Sequence, residues 1–168
     1  MFKNTIFRRM TALVLTLALA AAAALPGLAV YPMPIQTASE TEAVYLFNAD
    51  TGKTILNQNA GQQQYVASLT KLMTALLLLE SGKDLNGEVT VPTALTQEFR
   101  DIQNANGTTM GLRIGETVRR IDLLNAMLIV SANDAASVIA YDVGGSVLDF
   151  VKQMNARAEE LGCTGTNF

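Results

Sequence analysis

The sequence predicts an α+β fold, with β-structure first and a run of helices after it. Residues 43–47 and 54–56 are short apolar, β-branched and aromatic runs, separated by the turn-forming stretch Asn48-Ala49-Asp50-Thr51-Gly52. Downstream segments read as helices with caps and glycine stops, and no strand alternates with them, which disfavours βαβ units. The N-terminus stands apart. Lys3, Arg8 and Arg9 precede an almost pure Ala, Leu and Val run over 11–25, followed by Pro26, Gly27 and Ala29. A basic n-region, an apolar h-region and small residues at a cleavage site predict a secretory signal over 1–29. The run is short for a membrane span of roughly 20 residues.

Residues 30–41 carry Pro32 and Pro34 among small and polar residues and are expected to form a flexible lead-in. The hairpin follows. Gly52-Lys53-Thr54 resembles the end of a phosphate loop, but the first glycine of that motif would fall on Phe47. Residues 68–81 predict a helix stopped by Gly82, and apolar side chains nearly all round it from Leu72 to Leu79 predict burial. A second helix is expected over 92–101, a glycine-rich loop over 104–115, and a third helix over 121–130. Asp134 is expected to cap a helix running to Asp142, and Ser146 with Asp149 resembles a capping box for a last helix ending at Gly162. A hairpin by itself is marginal in water, so more sheet is expected than these two strands.

Composition narrows the chemistry. The 168 residues suffice for one domain. Three of the 12 basic residues precede the expected cleavage and all 15 acidic ones follow it, leaving 9 against 15, a net −6. An acidic chain with no basic run is a poor partner for nucleic acid. The one cysteine, Cys163, cannot form an internal disulfide and is expected to be a small packed residue. Histidine is absent, which excludes Ser-His-Asp and Cys-His sites. Any nucleophile here must use a lysine or a carboxylate as its base.

Ser68-Leu69-Thr70-Lys71 offers such a pair. Three residues apart on a helix, the hydroxyl and the amine share a face, at an N-terminus whose field suits a developing oxyanion. Lys71 then enters an apolar segment, where desolvation lowers an amine's pKa. The same two residues also fit a plain cap and a solvated lysine, so the pair alone decides little. Ser131-Ala132-Asn133, between two helices, adds a hydroxyl able to relay a proton and an amide able to hold a carbonyl and an ammonium. An ordinary helix–helix turn also favours Ser and Asn.

Together these stretches resemble the low-molecular-mass penicillin-binding proteins, the D-alanyl-D-alanine carboxypeptidases. The matches are Ala67-Ser68-Leu69-Thr70-Lys71-Leu72-Met73-Thr74, Gly111-Leu112-Arg113-Ile114-Gly115-Glu116, Asp122-Leu123-Leu124 and Leu128-Ile129-Val130-Ser131-Ala132-Asn133-Asp134-Ala135-Ala136. The resemblance implies a β-lactamase/transpeptidase-like fold, here its N-terminal hairpin and helical subdomain. It implies a serine carboxypeptidase of peptidoglycan D-Ala-D-Ala stem peptides, inhibited by β-lactams and using no metal or organic cofactor. Ser68 is then the acyl-ester nucleophile, Lys71 the general base, Ser131 the proton relay, and Asn133 a substrate-binding residue. A class A β-lactamase is a rival, but that group places Asp where Ala132 stands, and Glu159-Glu160-Leu161-Gly162 only weakly echoes its Glu-x-x-Leu-Asn loop. A non-catalytic cell-wall binding protein of the same fold is another.

The 168 residues contain no Lys-Thr-Gly triplet, the family's third element. Residues 42–168 are therefore expected to be a partial catalytic domain, exported to the periplasm or wall, with any membrane anchor lying beyond Phe168. By itself this stretch is expected to be nearly inactive, since loss of a single oxyanion donor already costs about a hundred- to a thousand-fold. Incubating residues 30–168 with a fluorescent penicillin should give far less than one label per molecule, and full labelling would overturn the expectation.

Overall fold

The computed structural model describes residues 41–168; the expected leader and nearly all of the lead-in lie outside the described residues. β1 (Val44–Asn48) and β2 (Lys53–Gln58) form the expected antiparallel hairpin, with a register shift between Leu46 and Phe47. Tyr45 and Phe47 stack in parallel at 6.3 Å, yet no residue of either strand is buried. A 3₁₀ turn, Ala67–Leu69, leads into α1 (Thr70–Glu80). After β3 (Glu88–Thr90), a 3₁₀ turn over Thr93–Leu95 opens α2 (Thr96–Asn104). Then come β4 (Thr117–Arg119), α3 (Arg120–Ile129), α4 (Asn133–Gly144) and α5 (Val147–Glu160).

The α+β expectation holds, and one small strand pair adds to the hairpin. β3 and β4 are antiparallel, with Val89 opposite Val118. Three residues per strand give too little alternation to be seen in sequence. The pair ties the segment after α1 to the entry of α3.

α4 is the centre of the molecule. Asp134, Ala135, Ser137, Val138, Ile139 and Ala140 are all buried, so the helix is enclosed on most sides. Leu78 of α1, Leu123 and Met127 of α3, and Val138 and Ile139 of α4 are at most 1% exposed and form the main core. Phe150 and Met154 of α5 pack with Ala140 on the other side. Gly144 lets α5 approach closely: a Cβ there would stand 2.6 Å from that of Phe150. Ser146 caps α5 by accepting the Asp149 N–H at 3.0 Å, and Gly162 ends it with φ +80°.

Several local expectations are corrected. Leu72 and Leu79 are 60% and 56% exposed, so α1 buries only the face bearing Thr74, Ala75 and Leu78. Cys163 is exposed rather than packed. Arg120 holds Asp142 by two bonds of 2.7 and 3.0 Å, with Lys83 3.4 Å from the same carboxylate.

Asp134 does more than cap. Ala132 is the N-cap of α4, and the Asp134 carboxylate accepts the backbone N–H groups of Met110, Gly111 and Leu112, each at 3.0 Å. It also accepts the N–H of Ala135 at 2.9 Å. A buried carboxylate saturated by backbone donors fastens the loop before β4 to the start of α4. An amide at this position keeps one acceptor oxygen and turns donors toward donors. Asp134→Asn is therefore expected to cost about 3 kcal/mol or more, at roughly 1–3 kcal/mol per unsatisfied buried group. Urea unfolding checks this, and a loss below about 1 kcal/mol would refute it.

Candidate active site

The serine of Ser68-Leu69-Thr70-Lys71 does not open the α-helix directly. It lies in the 3₁₀ turn ahead of α1, after Ala67 in a left-handed conformation with φ +46°. In a 3₁₀ turn, side chains three residues apart eclipse one another, which brings Ser68 over Lys71 in the first turn of α1. The opposing wall comes from the junction of α3 and α4. Val130 ends α3, Ser131 turns the chain with φ +61°, and Asn133 starts α4. Ala132 between them is fully buried, so the two polar neighbours are carried on an apolar anchor.

All four expected residues meet. Lys71 Nζ donates to Asn133 Oδ1 at 2.7 Å, to Ser131 Oγ at 3.1 Å, and to Ser68 Oγ at 3.5 Å. Ser131 Oγ lies 2.8 Å from Ser68 Oγ. The direct serine–lysine link is thus the longest of the set, and the short route between them runs through Ser131. Hydroxyl protons rotate, so the same contacts can carry a proton from Ser68 to Ser131 and on to a neutral Lys71. Burial holds the Lys71 amine below its ordinary pKa of 10.5, which enlarges the neutral fraction. A hydroxyl, an amine of lowered basicity and a bridging hydroxyl can generate a serine alkoxide without histidine.

Ala67 and Ser131 are non-glycine residues held at positive φ, each costing on the order of 1–3 kcal/mol. Both adjoin or belong to the site. The loop that Asp134 fastens also fits tightly around Asn133. Asn133 N–H donates to Thr108 O at 2.8 Å, and a Cβ on Gly107 would come within 2.9 Å of the Asn133 amide nitrogen. Gly107 is therefore required by close approach, and larger residues would push the amide off its lysine.

A cavity of about 450 Å³ opens on the site, lined by Ser68, Thr70, Lys71, Glu98, Asn133 and Ser137 among others. Ser137 is buried and donates to Glu98 Oε1 at 3.3 Å. Sequence reasoning named neither of these two. The available signal was the four-residue spacing of Asn133 and Ser137, which puts both on one face of α4.

The sequence profile of the D-alanyl-D-alanine carboxypeptidase family, Peptidase S11, matches residues 32–168. The D-alanyl-D-alanine carboxypeptidase DacF of Bacillus subtilis is 33% identical over 136 residues, 79% of this chain and 33% of that protein. A D-alanyl-D-alanine endopeptidase of Pseudomonas aeruginosa is 33% identical over 81% of this chain and 42% of its own length. The chain thus spans well under half of these curated relatives. Among solved structures, a Streptomyces DD-transpeptidase superposes with a TM-score of 0.66 at 30% identity, covering 74% of this chain and 49% of that one. Penicillin binding protein 6B of Escherichia coli gives 0.63 at 30% identity, over 70% of this chain and 38% of its own. With its fold, its ordered motifs and a family match reaching from residue 32 to residue 168, the chain belongs to the D-alanyl-D-alanine carboxypeptidase family.

Proposed function

We propose that the full-length protein is a secreted serine D-alanyl-D-alanine carboxypeptidase acting on peptidoglycan stem peptides. The observation that carries this reading is the contact array joining Ser68, Ser131 and Lys71, with 2.8 and 3.1 Å links. Ser68 Oγ attacks the carbonyl carbon of the terminal D-Ala-D-Ala bond while its proton passes through Ser131 to neutral Lys71. Asn133 keeps Lys71 in place and faces the substrate amide. The tetrahedral intermediate collapses, the C–N bond breaks, and the proton returns by Ser131 to the leaving D-alanine nitrogen. Water then hydrolyses the acyl-enzyme. A β-lactam offers the same carbonyl chemistry in a ring and acylates the same oxygen. The scheme uses no metal or organic cofactor. The family's Lys-Thr-Gly strand, which lies outside these 168 residues, would complete the oxyanion site.

The full-length protein should take up a fluorescent penicillin, and Ser68→Ala should abolish the label. Lys71→Ala should slow acylation by about a hundred- to ten-thousand-fold, the usual range for loss of a general base. Undiminished labelling in either variant would overturn the reading.

The acylation rate should also rise with pH, because Lys71 acts when neutral. Since burial lowers its pKa, the rise should level off below 10.5. A stopped-flow pH profile of acylation checks this, and a rate that is flat or falls with pH would argue against Lys71 as the base.

A further inference from the structure

We infer that Glu98 is a second proton acceptor in this cavity, the base that activates water to hydrolyse the acyl group on Ser68. The inference rests on the serine-acylation reading above. α4 presents Asn133 and Ser137 one turn apart on one face, with Cβ atoms roughly 5–6 Å from each other. Asn133 holds the Lys71 amine at 2.7 Å, and Ser137, 7% exposed, holds Glu98 Oε1 at 3.3 Å. A lysine and a carboxylate, each held from the same face of the helix, therefore line the same 450 Å³ cavity that Ser68 lines. A water occupies about 30 Å³, so an acyl group and an attacking water fit together.

Among the described residues, Glu98 is also the one carboxylate lining this cavity. Asp134 is saturated by backbone N–H groups, and Asp142 is held by Arg120 and Lys83. Among the described residues, no lysine or arginine forms a salt bridge with Glu98, whose hydrogen-bond partner is a neutral hydroxyl. One of its oxygens is anchored and the other is left to accept a proton.

In the step, water's oxygen bonds to the acyl carbon as Glu98 takes a proton from it. The tetrahedral intermediate then breaks its C–Oγ bond. Glu98 then returns that proton to the departing Ser68 oxygen across the cavity that both residues line. Water is divided into hydroxyl on the product acid and hydrogen on Ser68, and both Glu98 and Lys71 end as they began.

The test uses full-length protein acylated with fluorescent penicillin, freed of excess reagent, with the retained label followed over time. Glu98→Gln should label as fast as wild type and keep the label at least about a hundred-fold longer. Glu98→Asp, which retains a carboxylate, should fall between the two. Hydroxylamine, which attacks esters without a base, should strip the label from wild type and Glu98→Gln equally, which a collapsed cavity would not allow. Release from Glu98→Gln at the wild-type rate overturns the role of Glu98 while leaving Ser68 acylation intact. Failure of Glu98→Gln alone to label, or its resistance to hydroxylamine, also overturns it. No label on wild type overturns the acylation reading, and this inference with it.

Discussion

An amine held by three oxygens organises this molecule. Lys71 leaves an apolar helix and finds Asn133, Ser131 and Ser68, sixty or more residues apart along the chain in two of the three cases. Partial burial disfavours its charge, and the oxygens compensate only while α1 and the α3–α4 junction keep their places. Every feature of the site follows from that requirement. The serine must stand one 3₁₀ turn before the lysine, and the asparagine must begin a helix whose axis is fixed by the core.

The fixing is done by α4. Its buried Ala135, Ser137, Val138, Ile139 and Ala140 lock the helix among α1, α3 and α5, while Asp134 and the Asn133 N–H bind the loop from Thr108 to Leu112. Two strained residues, Ala67 and Ser131, sit where these rigid parts meet the reactive groups. A strain on the order of 1–3 kcal/mol per residue persists only where neighbours over-determine the backbone. Here the neighbours are a fully buried Ala132 on one side and the first turn of α1 on the other. The strain is the consequence of aiming two hydroxyls at one amine from separate elements.

Much of this was legible in the residues, and the exceptions have physical causes. The absence of histidine and the Ser-x-x-Lys spacing single out Ser68 and Lys71 as a candidate pair, and the ordered motifs around them add the rest. The hairpin, the helix stops at Gly82 and Gly162, and the Ser146 cap were readable because turns and caps are local. The 3₁₀ turn at Ser68 was not, since i+3 and i+4 hydrogen bonding favour the same residue types. Exposure of Leu72 and Leu79 was not either: an all-apolar helix reads as buried, whichever elements actually cover it. Asp134 reads as a simple cap in sequence because its partners lie more than twenty residues upstream. Glu98 carries no sequence signal at all; only the packing of α2 against α4 brings it to Ser137.

The two ends of the described chain differ in how they are supported. The helices bury Leu78, Leu123, Phe150 and their neighbours, so the lysine's hydrogen-bond set rests on a core of its own. The hairpin has none: Tyr45, Phe47 and Ile55 are all about half exposed, and an isolated pair of strands is marginal in water. In the proposed mechanism, activation of the serine is thus a property of the helical core, assembled without the hairpin. What the sheet side must add is whatever holds the substrate's oxygen opposite that serine. On the proposed reading, alkoxide formation and oxyanion binding therefore sit on structurally separate supports, and the four residues assigned to the first all lie within residues 67–144.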